Sequence, residues 1–323
     1  MKPSKLPRLL AVALLALFGL LHAEDLPIPV ILDTDIGDDI DDALALGLAL
    51  QSPELEVLAI TTVLNDGPRR ADLVWKILQL YGRTGIPVGI GAELPLLAKP
   101  RTGIVKQTEA LAPDDRLPSG LRRNGLELMI DTCMRSPVKV TIVAYGPATN
   151  VALALRAEPR LVEKLERIVL MNGVFFRPGL EYNTRMDPEA SAIVYGSGVP
   201  ITTVGLDVTM QCRLTTDHLQ RLADSTAPGV RFLRRLISIW QSENENRLPV
   251  LHDPLAIAIT VKPELVTLAR GGVEVETRGT PGRTYGMTLF RRDPAGKIQV
   301  AEEVNSAGLV DFFIERLLAS PRR

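Results

Sequence analysis

The chain has 323 residues, 46% of them hydrophobic, enough for a large core in one sizeable α/β domain or two small ones. Its 37 basic and 38 acidic residues give a net charge of −1 with no long basic run, which argues against a nucleic-acid binder. There are two cysteines, Cys133 and Cys212, neither beside a second Cys or a His at zinc spacing, so two unpaired thiols are expected.

Residues 1–23 stand apart from the rest. Lys2, Lys5 and Arg8 make a positive start, Leu9 to Leu21 is apolar apart from Gly19, and Leu21-His22-Ala23 closes the run on a small residue. This is the layout of a secretory signal peptide, and the apolar run is too short to span a bilayer comfortably. Its removal takes three positive charges and leaves about −4 on the remainder. The expectation is a periplasmic or secreted protein, with an environment that permits disulfides.

From there strand-like and helix-like segments alternate. Ile28–Leu32 is a short apolar strand, followed by Asp33-Thr34-Asp35-Ile36-Gly37-Asp38-Asp39-Ile40-Asp41-Asp42 and then an apolar helix, Ala43–Gln51. Glu56–Thr62 reads as a strand and Arg69–Tyr81 as a helix; within the latter, Trp75 falls at core spacing with Leu78. Lys99–Ser119, rich in Pro, Thr and Asp, reads as a surface loop. Leu121–Arg135 follows as a helix, then strand Val138–Val143, helix Ala148–Ala157, strand Arg167–Met171, helix Asp187–Tyr195, strand Ile201–Val204 and helix Thr216–Ala223. Phe232, Leu236, Ile239 and Trp240 suit an amphipathic helix, and Gly271–Val300 reads as short strands closing the sheet in a meander. The alternation predicts a single α/β domain over residues 27–320, with a mainly parallel, Rossmann-like open sheet flanked by helices. Ligands of such folds bind beyond the carboxyl ends of the strands, where the aspartate loop falls.

Six aspartates in ten residues repel one another, and a folded protein tolerates them when something positive sits among them. A hard divalent cation fits, because it takes oxygen ligands. A helix N-terminus favours one or two acids in its first turn, which does not account for six. An EF-hand is excluded by spacing, since Leu44 stands where the loop's closing Glu belongs.

Other segments join this loop: Ile60-Thr61-Thr62-Val63, Ile86-Pro87-Val88, Gly91-Ala92, Pro95-Leu96, Tyr145-Gly146-Pro147-Ala148-Thr149-Asn150, Glu181-Tyr182-Asn183, His252-Asp253-Pro254 and Gly282-Arg283-Thr284-Tyr285-Gly286-Met287-Thr288. Together they resemble the nucleoside hydrolase family, the inosine–uridine-preferring N-ribohydrolases, in the right order from about Pro27 to the last helix. The resemblance implies Ca²⁺ held by Asp35, Asp42, Asp253 and the backbone carbonyl of Tyr145. It implies ribose contacts from Asp41 and Asn183, with Glu181 on the 5′ side. Asp35 would take a proton from a calcium-bound water, and His252 would protonate the leaving base. Asp66, or Asn65 if the loop shifts by one, matches a family polar residue; Asn172 and Trp240 complete the substrate-binding set, Trp240 by stacking on a base. The family implies a small-molecule nucleoside substrate and commonly a homo-oligomer.

The sequence departs from the family in places. Two residues are inserted in the aspartate loop, so Asp38-Asp39 rivals Asp41-Asp42 as the paired aspartates. Asn172 precedes Gly173 where two glycines are usual, and Phe175 stands in place of an asparagine. Two other classes stay open. A haloacid-dehalogenase-like phosphatase would use Asp33 as nucleophile and Asp35 as acid–base, and an exported nucleoside-binding protein would keep the ribose ligands without turnover.

Overall fold

The structure, a computed structural model, describes residues 26–100, 105–245 and 247–319. The expected signal peptide, residues 1–23, therefore lies outside the described residues.

β1 (Ile28–Thr34) shows why the sheet is central: Val30, Ile31 and Leu32 are all buried, so both faces of the strand are covered, as a parallel sheet between helical layers requires. Val30 and Leu32 join the apolar cluster on one face and Ile31 the cluster on the other, the alternation of a pleated strand. After β1 come α1 (Asp41–Leu50), β2 (Leu55–Thr62), α2 (Gly67–Leu80), β3 (Val88–Ile90), β4 (Arg122–Asn124), α3 (Gly125–Arg135), β5 (Val140–Ala144), α4 (Thr149–Ala157), α5 (Leu161–Lys164) and β6 (Leu165–Met171). The second half holds α6 (Tyr182–Met186), α7 (Pro188–Tyr195), β7 (Ile201–Val204), α8 (Leu206–Thr209), α9 (Thr216–Ala223), α10 (Pro228–Glu243), α11 (His252–Val261), β8 (Val266–Val275), β9 (Thr288–Arg292), β10 (Ile298–Val304) and α12 (Ser306–Leu318).

These strands form one ten-stranded sheet in the order β4-β3-β2-β1-β5-β6-β7-β10-β8-β9. Pairing is parallel from β4 through β10, whereas β8 runs antiparallel to β10 and β9 to β8. Chain order reverses between β1 and β5, so a crevice opens beyond their carboxyl ends, where an α/β sheet takes its ligand. Asp33 lies level with Ala144 of β5, which lies level with Leu170 of β6. The three strand ends thus deliver Asp35, Tyr145 and Met171 to one rim.

Every residue of α1 is buried, and α11 is buried along nearly its whole length. A helix apolar on all sides belongs inside, and these two pack against each other under the crevice. Each opens with acids: Asp41 and Asp42 in the first turn of α1, Asp253 in that of α11.

The predicted strands and helices recur with small shifts, with some differences. Residues 122–124 form an edge strand, and α3 starts at Gly125 because Asn124 caps it, accepting from the Glu127 N–H at 3.1 Å. Residues 105–119 are more than a surface loop: Lys106–Ala110 makes a 3₁₀ turn in which Val105, Gln107 and Ala110 are buried. The C-terminal strands are not a meander. β10, with Ile298, Val300 and Ala301 buried, inserts between β7 and β8, and the exposed β9 takes the edge. Cys133 and Cys212 are both buried free thiols, and burial pushes each up to about 12, while Trp75 is in the core as expected.

Candidate active site

The crevice is a cavity of about 530 Å³ whose wall includes Asp35, Asp38, Asp39, Asp41, Asp42, Tyr145, Glu181, Asn183, Trp240, His252 and Asp253. Its floor is built by the loop between β1 and α1. Thr34 donates its hydroxyl to Asp42 at 2.6 Å and accepts the Ile36 N–H at 3.1 Å, which folds the loop back on itself. Gly37 has φ +122°, and a Cβ there would run into Val105, so the loop can turn only at a glycine. Gly146 is equally confined: a Cβ would come 2.9 Å from both the backbone N and the carboxylate of Asp35. That packing explains the glycine of the Tyr-Gly-Pro-Ala-Thr-Asn turn.

Two side chains from elsewhere hold the loop. Arg70, on α2, has no exposed surface and donates to the carbonyl of Asp35, to the carbonyl of Ile36 at 2.9 Å, and to the Asp38 carboxylate at 2.7 Å. Gln107, from the 3₁₀ turn, donates its amide to the carbonyl of Asp39 at 2.6 Å and that of Asp38 at 3.3 Å; its own N–H donates to Gly37 O at 3.0 Å. Next to it, Lys106 pairs with Glu109 at 3.2 Å and reaches Glu243 at the end of α10 at 3.4 Å.

Asp41, Asp42 and Asp253 bring one carboxylate oxygen each within 4.8 Å of one another, and all three are buried. Burial pushes their carboxyls well above the usual range, and mutual repulsion, with Asp35 contributing, pushes the same way. Asp41 and Asp253 are close enough to share a hydrogen bond, which two bare carboxylates cannot do. The group fits a divalent cation: an all-oxygen donor set, more negative charge than the site can balance, and two helix N-termini aimed at it. Tyr145 O accepts Asn183 Nδ2 at 3.1 Å and keeps a second lone pair. Asp35 lines the same cavity but is not one of the three clustered acids, and Asp41, expected at the ribose, is.

The rest of the wall is polar and well anchored. Glu181 caps α6, accepting from Asn183 N at 2.7 Å and Thr184 N at 2.8 Å, and also binds Gly173 N at 3.1 Å. Asn183 directs its amide hydrogens to Tyr145 O and, at 3.0 Å, to Met171 O, so toward a ligand it can only accept. His252 Nδ1 is 2.7 Å from Thr209 Oγ1; burial, with Arg213 nearby, pushes the imidazole down to about 4, so it is neutral at pH 7. Trp240 stands in the same wall beside Asp39, with its indole N–H near enough to favour the ionised carboxylate.

The structure brings together Asp35, Asp41, Asp42, Tyr145, Glu181, Asn183, Trp240, His252 and Asp253. It does not bring Asp66 or Asn172 to the cavity. Asp66 is the residue before α2, in a left-handed conformation (φ 58°) that starts the helix. Its alternative, Asn65, serves Arg70 through its carbonyl at 2.7 Å. Asn172 is a buried strut: its Oδ1 accepts from Thr184 at 2.8 Å and Tyr195 at 3.2 Å. Phe175 packs edge-on against Tyr195 and Phe290, away from the cavity wall. Asp38 pairs with Arg70, and it is Asp41 and Asp42 that stand beside Asp253. Asp33 is fully buried, accepts from Thr61 at 2.6 Å and Asn150 at 2.7 Å, and is pushed by burial up to about 7. A carboxyl so enclosed has no access to a phosphoester, which removes the phosphatase reading. Arg70, Gln107 and Lys106 carried no sequence signal of their own.

The family described as inosine-uridine preferring nucleoside hydrolase matches residues 30–311. The pyrimidine-specific ribonucleoside hydrolase RihA of Citrobacter koseri is 36% identical over 307 residues, covering 90% of this chain and 98% of its own. Among solved structures, a plant nucleoside hydrolase aligns with a TM-score of 0.79 at 30% identity, covering 91% of this chain and 100% of its own. A purine-preferring ribonucleoside hydrolase from Gardnerella vaginalis aligns with a TM-score of 0.77 at 27% identity, covering 90% of this chain and 98% of its own.

Proposed function

The chain belongs to the inosine–uridine preferring nucleoside hydrolase family, hydrolases of N-glycosyl bonds, and from that premise we propose that it splits ribonucleosides into base and ribose with calcium in the Asp41–Asp42–Asp253 cluster and Asp35 as general base. The observation that carries this reading is the buried carboxylate cluster at the sheet's switch point, with Asp35 and His252 in the same wall. Calcium bound there would balance the carboxylates, engage the ribose diol and make a coordinated water more acidic.

The chain's own residues supply the rest. Asp35, at the end of β1, accepts a proton from the attacking water, a role typically worth about 10²–10⁴-fold. Asn183 accepts from a ribose hydroxyl and helps fix the sugar. The carboxylates favour the positive charge that develops on the ring as the C–N bond lengthens. His252 works as a neutral ring. With Thr209 donating to Nδ1, Nε2 carries the hydrogen and offers it to the departing base, in place of a proton drawn from an imidazolium. Trp240 offers a flat face for that base.

The relatives' names divide between pyrimidine and purine, so the base is an open variable of the proposal. Export is a second part of it, supported by the make-up of residues 1–23; among the described residues no helix is long and apolar enough to cross a membrane. The test is reducing-sugar release from a panel of purine and pyrimidine ribonucleosides, with and without a calcium chelator. Release abolished by the chelator and restored by calcium supports the reading. Release indifferent to the chelator removes the cation from it, and an Asp35→Asn variant that turns over normally removes the base.

A further inference from the structure

Arg70 does not itself line the cavity, yet both its Nη atoms bond the loop that makes the floor, while Nε bonds Asn65. A buried guanidinium is costly unless its donors are matched. Here Nη1 serves the carbonyls of Asp35 and Ile36, Nη2 the Asp38 carboxylate and, at 3.3 Å, Asn65 Oδ1, and Nε the carbonyl of Asn65. Thr34 and Gln107 hold the loop at other points, but among its hydrogen-bond partners in the described residues Arg70 is the charged one. Residues 36–40 belong to no strand or helix, and Ile40 starts α1 without a side-chain cap.

We propose that Arg70 is a positioning residue for the cation site: it fixes the stretch from Asp35 to Asp38 so that Asp35, at one end of the loop, and Asp41-Asp42, at the other, converge with Asp253 before a cation arrives. The proposal rests on the cation reading above. Two roles for a buried arginine predict opposite signs. As a mere counter-charge, Arg70 competes with a cation, and its loss tightens cation binding. As a positioning group it preorganises the ligands, and its loss weakens binding. Five donors in a planar fork can reach two carbonyls, a carboxylate and Asn65 together; a lysine ammonium keeps the charge but cannot span that set.

The experiment is calorimetric titration of Ca²⁺ alone into the chelator-stripped full chain, for the parent, Arg70→Lys, Asp38→Asn and Leu78→Ala. Leu78 is buried on the same helix, with no role in the loop, and serves as a control for lost stability. Arg70→Lys is expected to bind Ca²⁺ about 10–100-fold more weakly, as loss of a partner that orients a metal ligand does. Asp38→Asn is expected to weaken it in the same direction, and Leu78→Ala to lower the melting temperature with affinity unchanged. Parent-like or tighter binding by Arg70→Lys overturns the proposal, as does an affinity loss in Leu78→Ala matching its loss of stability. If Arg70→Lys does not fold, Asp38→Asn decides: unchanged affinity there overturns it. A parent that binds no Ca²⁺ overturns the cation reading itself, and this proposal with it.

Discussion

Asp38-Asp39 and Asp41-Asp42 are chemically identical pairs one residue apart, and the fold gives them different work. Asp41 and Asp42 open a wholly buried helix and meet a third buried acid, Asp253, at the mouth of another. Asp38 and Asp39 have donors beside them: the Arg70 guanidinium for one, the Ile40 N–H at 2.7 Å and the nearby Trp240 indole for the other. An acid paired with a guanidinium, as Asp38 is, has its charge balanced without an ion. An acid surrounded by acids holds either a proton or a cation. What a carboxylate faces decides its role, and sequence spacing shows only that it is available.

The sharpest way to break this contrast is to neutralise one member of each pair. Asp42→Asn should abolish calcium binding and lower nucleoside turnover by about 10³-fold or more, since the group would be both ligand and charge stabiliser. Asp39→Asn should lower kcat/KM by less than about tenfold, as a hydrogen-bond acceptor is retained. Equal losses in steady-state kinetics would mean that both pairs serve the cation. Next in size, His252→Gln should cut kcat by about 10²–10⁴-fold while leaving calcium affinity intact, because the ring is opposed to Thr209 and outside the carboxylate cluster. Calorimetry showing lost calcium binding in that variant would place His252 among the ligands.

The response to pH separates the pairs more gently. Asp41, Asp42 and Asp253 have folded pKa values raised above the ordinary 3.8, so they keep protons that the unfolded chain has released. Chelator-treated protein should therefore lose stability as pH rises from about 4 upward through those raised values. Calcium, which favours the ionised form, should raise the melting temperature more at pH 8 than at pH 5. A calcium effect independent of pH would show that the cluster is already ionised without it. The smallest effect concerns the outer pair. Trp240→Phe keeps the ring and removes the N–H to Asp39; combined with Asp39→Asn it should show a coupling of about 0.5 kcal/mol or more in kcat/KM, and additivity would deny the contact.

The sequence displayed its strand–loop–helix units because buried parallel strands and capped helices leave local patterns. It displayed the acidic cluster because so many like charges in ten residues are improbable without a counter-charge. It hid what holds the loop. Arg70 and its partner Asp38 are 32 positions apart, and Gln107 lies 68 from the Asp39 carbonyl it binds. An Arg beside Arg69 in the first turn of a helix and a Gln in a polar stretch look like solvated residues until the fold brings them in. Asp66 and Asn172 lie away from the cavity wall for the converse reason: a polar residue just after a strand is well placed in chain order, but a left-handed conformation at Asp66 and internal hydrogen bonds at Asn172 tie each to the surrounding scaffold. β3 and β4, three residues each, are too short to carry a periodic signal.

The insertion of β10 between β7 and β8 bears on how the chain reaches this state. β7 and β8 do not pair with each other; β10 alone bridges them, matching Ile298 to Ile201 on one side and to Gly271 on the other. Side-chain contacts such as Thr288 with Val174 also join the parallel half of the sheet to the β8–β9 hairpin, but the sheet is closed only by a strand near the end of synthesis, across a separation that slows pairing. Every acid of the cavity is translated before that strand appears. A nascent chain would thus carry its full set of reactive groups before the sheet that holds them is complete.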